Sequence, residues 1–206
     1  MSASARAMRA LLSDLGAAAS QWITIPAPPE SVMRAFVKAM SQRRHRPIEL
    51  VFRAFPADLG VSGLRLDFGD RSVIVVEERA APAAQLVILG HELFHEEQGK
   101  CGHHLGGSVT AAAARSLSGD DAASILQRAV EQIVAAEEIP REALLAVAAR
   151  ARSSDSHEED AERFGLFFGL EVRTWVTGPY AQGAVSSASL EGRINRSLGH
   201  RGGRLI

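Results

Sequence analysis

Hydrophobic and polar positions along the chain change period several times, and each change marks an element. Residues 4 to about 20 follow a helical pattern that breaks at the Pro-rich stretch Thr24–Glu30. From Glu30 to Arg43 the pattern is helical again: Val32, Phe36 and Met40 stand four apart on one face, behind Pro28 and Pro29. The basic cluster Arg43–Pro47 ends this helix. Three segments of strand character follow, Ile48–Phe55, Gly63–Phe68 and Ser72–Glu78. Leu64, Leu66 and Phe68 alternate with polar neighbours, which predicts that the middle strand keeps one face wet. The pair Gly69–Asp70 predicts a hairpin between the last two strands.

From Pro82 the period returns to that of a helix, running through His91 and His95, and the glycine-rich run Gly99–Ser108 reads as a loop. Further helices are expected at about Asp121–Glu138 and Pro140–Arg152, with Pro140 suited to a first turn. A last helix starts at Ser156 and Glu159 in capping-box spacing and continues through Phe164, Leu166, Phe167, Phe168 and Leu170. The expected fold class is α+β, with helices packed on a small three-stranded antiparallel sheet. Residues 1–178 read as a single domain and 179–206 as a flexible tail rich in Gly, Ser and Arg.

Composition narrows the function. At 206 residues, 46% hydrophobic and 23% charged, the chain has the profile of an ordinary globular protein. Its central apolar run, Ala80–Gly90, stops at His91 and is too short to span a bilayer. The first helix carries Asp14 and lacks a cleavage pattern, so it does not read as a signal peptide. One cysteine, Cys101, excludes an intrachain disulfide framework and a cysteine-only metal site, and a reducing cytoplasmic home is the default. Lys and Arg number 23 against 24 Asp and Glu, a balance that speaks against nucleic-acid binding. The local excess of Arg173, Arg193, Arg196, Arg201 and Arg204 over Glu191 reads as a solvated tail.

The chemistry concentrates in His91–Glu92–Leu93–Phe94–His95. Two histidines four apart on a helix share a face and reach one metal ion, while a glutamate one residue after the first stands beside the metal as a base. With this chain's histidine and glutamate content, chance yields such a pattern in about 2% of sequences. The turns before it, Leu86–Leu89, are apolar, so the helix enters a core where unpartnered imidazoles would be costly. A catalytic zinc takes a third protein ligand. Cys101, His103 and His104 in the following loop are candidates, as are Glu158, Glu159, Asp160 and Glu162 at the start of the last helix.

The motif His91–His95, followed by Glu158, Ala161 and Phe164 in the spacing E-x-x-A-x-x-F, resembles the ImmA/IrrE family of zinc-dependent metallopeptidases. The resemblance covers roughly Glu30 to Val176. It implies a zincin-like fold with His91, His95 and Glu158 as zinc ligands and Glu92 as the catalytic base. Glu162 stands where the family pattern has Asn or Asp, Gly165 where it has Ala, and Phe94 where Gly is common. Glu162, His103 and His104 are candidates for supporting the ligands or touching substrate, and Tyr180 joins the two histidines as a candidate oxyanion donor. The implied function is an intracellular endopeptidase that cuts a helix-turn-helix transcriptional repressor, a role often counted among toxin–antitoxin components. The sequence leaves two other classes open: a regulatory protein that binds its partner without cutting it, and a zinc hydrolase of non-peptide substrates. In the peptidase reading, the strand Gly63–Phe68 is an edge on which an extended substrate could add.

Overall fold

A computed structural model describes residues 3–57, 61–68, 70–99, 122–148, 155–178 and 181. Two helices come first, α1 (Ala3–Ala19) and α2 (Pro29–Arg44), then strands β1 (Ile48–Arg53), β2 (Gly63–Asp67) and β3 (Ser72–Glu77). Helices α3 (Pro82–Gln98), α4 (Ala122–Ala135), α5 (Arg141–Ala148) and α6 (Asp155–Val172) follow. The elements match the expected order, and Val32, Phe36 and Met40 are all buried on one face of α2. Helix α6 begins at Asp155, which puts Ser156 inside the first turn and not at the cap position its spacing with Glu159 suggested. The 179–206 segment expected as a tail lies, apart from Ala181, outside the described residues.

The sheet is mixed, not antiparallel. Its order is β1-β3-β2: β3 pairs antiparallel with β2 and parallel with β1. The hairpin between β2 and β3 therefore holds, with the Phe68 amide donating to the Arg71 carbonyl at 2.9 Å, while Gly69 itself lies outside the described residues. The parallel partner has a simple cause. Val73–Val76 is a continuous apolar run, and such a strand is most stable with both faces covered and both edges paired. β3 takes that central place, and the connection after β1 carries the chain to the far edge.

Two cores sandwich the sheet. Leu50, Ile74 and Val76 face α1, α2, α3 and α6. Val51, Val73, Val75, Leu64 and Leu66 face Ala129 and Ile133 of α4, Ala143 and Leu144 of α5, and Ile139 between them. The expectation of a wet face on β2 fails for this reason. Arg65, the polar residue of the alternation, is 1% exposed and points toward α3.

Helix α3 packs most extensively against α6, and glycines set the spacing. A Cβ at Gly90 would lie 2.7 Å from Cβ of Phe168, and one at Gly165 would lie 2.7 Å from the Val87 carbonyl oxygen. Glycine in a helix interior costs about 1 kcal/mol relative to alanine. Close packing of the aromatic rings offsets that cost. Phe164 meets Phe94 with centroids 5.4 Å apart, and Phe168 meets Phe36 edge-on at 4.8 Å. Phe164 and Phe168 are fully buried, each such ring contributing about 1.5–3 kcal/mol.

Gly165→Ala is expected to lower stability by about 1–2 kcal/mol in a urea titration, in spite of alanine's better helix propensity, because the new methyl meets backbone. Leu170→Ser on the exposed side of the same helix should change it by about 0.5 kcal/mol or less. Equal effects of the two would contradict the close-approach account.

Candidate metal centre

The period of α3 sorts its chemistry into two stripes. At about 100° per residue, His91 and His95 fall on one face and Glu92 and Glu96 on the next. The histidine stripe faces α6. His91 and His95 bring their Nε2 atoms to 3.0 Å from each other. Glu158, in the first turn of α6, reaches both: Oε1 is 3.2 Å from Nε2 of His91 and Oε2 is 3.6 Å from Nε2 of His95. Two imidazole lone pairs this close repel unless a proton or a cation lies between them. The three side chains offer one donor atom each, all within 4.8 Å of one another, and could hold a metal ion.

Electrostatics at the cluster favour positive charge. Burial works against a charged His91, but the hydrogen bond its imidazole donates to the Glu158 carboxylate and the charges of Glu92, Glu158 and Glu162 outweigh it and raise its pKa above the ordinary imidazole value. The same field favours a bound cation. His95 is 3% exposed, so its imidazole is held by the packing around it.

Glu92 lies on the other stripe, 5% exposed, against the edge strand β2. A Cβ at Gly63 would come within 2.7 Å of Oε1 of Glu92 and 2.5 Å of Cγ2 of Ile88, so only glycine lets the strand pass this close to the carboxylate. Between α3, α6 and the start of β2 opens a cleft of about 450 Å³. Glu92, His91 and Glu158 lie at one end, Val87 and Leu166 line it further along, and Glu162 lies between. Glu159 belongs elsewhere: it is exposed and pairs with Arg163 at 3.1 Å. Asp160 also turns to Arg163, at 3.6 Å. Of the acidic cluster, then, Glu158 meets both histidines and Glu162 joins the cleft wall. Cys101, His103, His104 and Tyr180 lie outside the described residues.

Composition and spacing did not reveal the charged cluster beneath the site. Glu96 is fully buried beside His95, and three donors converge on it. Arg65 donates at 2.9 Å, Arg46 at 2.9 Å and the Ser72 hydroxyl at 2.8 Å. Arg46 also bridges to Asp67 at 3.1 Å. It enters because α2 ends in a left-handed turn at His45 (φ 52°), which aims the next residue inward. A basic residue between Leu64 and Leu66 in a strand was the one signal for this cluster. Burial alone would raise the Glu96 pKa, but hydrogen bonds from Arg46 and Ser72 and the charge of Arg65 hold it below the usual carboxylate value.

Comparison with known protein families, curated proteins and solved structures finds no match. Among the described residues no helix is long and apolar enough to cross a membrane.

Two outcomes follow from this geometry. In a metal titration, His91→Ala and Glu158→Ala should each weaken binding at least tenfold, the loss typical when ligand support is removed. Glu159→Ala should leave it unchanged. If Glu159→Ala weakens binding as much as Glu158→Ala, the ligand set is wrong. The second outcome concerns acid. A carboxyl whose folded pKa is depressed stabilises the protein above its unfolded pKa, and that stability is lost as pH falls through the folded value. Glu96→Gln should therefore cost about 3 kcal/mol at pH 7. The gap to wild type should narrow below about pH 4, near the ordinary carboxylate range. Urea midpoints across this range, parallel for the two proteins, would contradict the ion-pair role.

Proposed function

We propose that this chain is a zinc-dependent endopeptidase with a zincin-like arrangement, His91, His95 and Glu158 holding the metal and Glu92 serving as base. The observation that carries the reading is the convergence of two Nε2 atoms and a carboxylate at 3.0, 3.2 and 3.6 Å. Nitrogen donors about 2.0–2.1 Å from one tetrahedral zinc ion stand roughly 3.3–3.4 Å apart, so these spacings need only small adjustment. Two imidazoles and one carboxylate are also the donor set of hydrolytic zinc sites, which leave a fourth position open. The cleft beside the cluster supports an open position.

A zinc ion bound there supplies Lewis acidity, polarising the scissile carbonyl and lowering the pKa of water. The chain's own residues do the rest. Glu92 accepts a proton from the attacking water on a carboxylate oxygen and delivers it to the leaving amide nitrogen. Its burial beside Gly63 removes competing solvent and keeps the carboxylate near the path of a substrate lying along β2. Among the described residues β2 pairs only with β3, so its outer edge can accept an extended polypeptide by backbone hydrogen bonds. Ser62 and Gly63 line the same cleft as Glu92, which supports that path.

The substrate follows from the resemblance to the ImmA/IrrE family: a helix-turn-helix repressor, cut in a reducing, cytoplasmic setting so that repression is lifted. The mutation that separates cutting from binding is Glu92→Gln. An amide of the same size cannot take the water's proton, so cleavage should fall about 100- to 10,000-fold while zinc content and partner binding persist. Wild type and variant would be incubated with a helix-turn-helix protein encoded nearby, following cleavage by mass spectrometry and complex formation by gel filtration. Complex formation without cleavage in both would replace the peptidase by a regulatory binding protein.

A further inference from the structure

The cleft has a direction that the peptidase reading does not use. Helices α3 and α6 run antiparallel, since Glu158 meets His91 and His95 while Gly165 and Gly169 meet Val87. Glu158, Glu162 and Leu166 follow one another at four-residue steps along α6, and all three line the cleft. Each step advances about 6 Å along the helix. An extended polypeptide covers about the same distance in two residues, and those two side chains point the same way.

The charges along this wall are unequal. A divalent ion held by His91, His95 and Glu158 would balance Glu92 and Glu158, which leaves the carboxylate of Glu162 as excess negative charge in the cleft. Among the described residues no lysine or arginine lines the cleft, and Arg163, the next cation on α6, is turned away to Glu159 and Asp160. Glutamate also reaches one methylene further than the Asn or Asp of the resembled pattern. One turn beyond, Leu166 is 64% exposed. A single exposed leucine is ordinary on a protein surface. Here it shares the cleft with Val61, Val87 and Ile88, so an aliphatic side chain laid there would cover all four.

We propose that the cleft selects an extended polypeptide carrying arginine or lysine two residues from an aliphatic residue, Glu162 binding the cation and Leu166 with Val61 and Val87 the aliphatic group. This rests on the peptidase reading, because the segment must cross the metal cluster to be cut. Glu162 is then a specificity residue that takes no part in the proton transfer.

The test measures binding and cleavage separately. Fluorescently labelled peptides containing Arg-x-Leu or Leu-x-Arg, each with a Gln-for-Arg twin, would be titrated into zinc-loaded Glu92→Gln protein with and without Glu162→Gln. In one order the arginine peptide should bind about fivefold more tightly than its twin, the scale of an exposed ion pair. Glu162→Gln should erase that difference, and rising salt should shrink it. Leu166→Ser should weaken both twins alike. Equal binding of the twins in both orders, no binding of any peptide, or a preference that survives Glu162→Gln would overturn the proposal. Cleavage by the protein with Glu92 intact decides the other question. A Glu162-dependent preference without cleavage keeps the cleft assignment and removes the peptidase. Cleavage without an arginine preference does the reverse.

Discussion

The site depends on how closely α3 and α6 approach. Both histidines of the cluster stand on one helix and the carboxylate on the other, so the separation of the two backbones sets the donor geometry. Gly90 and Gly165 remove the side chains that would hold the helices apart, and Gly165 lies 3.2 Å from the Cβ of His91 by the measure of an added methyl. Functional geometry tolerates errors of about half an ångström. A methyl at either position would shift the helices by more than that before the aromatic rings could reseat. The glycines weaken each helix alone and are stabilising only in the pair, which makes the packing of Phe164 and Phe168 a condition of the site.

Closeness to α6 does not by itself fix the rotation of α3 about its axis. The charged cluster does. Glu92 and Glu96 are four residues apart on one stripe, an arrangement of like charges that destabilises an isolated helix. Arg65 from the edge strand and Ser72 from the central strand meet Glu96 from the sheet, and Arg46 meets it from the end of α2. Burying this carboxylate costs several kcal/mol before its partners are counted, and breaking such a cluster is far more harmful than never having built it. With Glu96 tied to the sheet, the stripe carrying Glu92 must face β2 and the stripe carrying the histidines must face α6. One motif thus serves two neighbours at once.

Much of this was legible in the sequence where one element decides the outcome. The face of α2 carrying Val32, Phe36 and Met40 follows from period alone, and so does the shared face of His91 and His95. The hairpin of β2 and β3 follows from two turn residues. What depended on several elements was not legible. The antiparallel sheet was wrong because nothing local announces that β1 returns beside β3 in parallel. The wet face of β2 was wrong because Arg65 was read as solvated when its partner, Glu96, lies 31 residues away. Choosing Glu158 over Glu159 and Asp160 came only from the resemblance to the E-x-x-A-x-x-F pattern, and nothing in the residues themselves decided it. Packing supplies the reason, since Arg163 draws the other two carboxylates to the far side of α6.

Gly63 joins these constraints on the sheet side of the cleft. The order β1-β3-β2 puts the shortest strand at the edge, and an edge with free backbone groups is a liability unless it is short, twisted or used. β2 is five residues long, anchored beneath by Arg65 and bare of side chain at Gly63, where it passes over Ile88 and Glu92. A larger residue there would push the strand off α3 and open a gap at the carboxylate. With glycine, the hydrogen-bonding edge and the buried Glu92 carboxylate lie within one side chain's reach of each other. Glu92 meets the strand on one side while the two histidines of α3 meet Glu158 of α6 on the other, so three separate packing decisions converge on a single cleft.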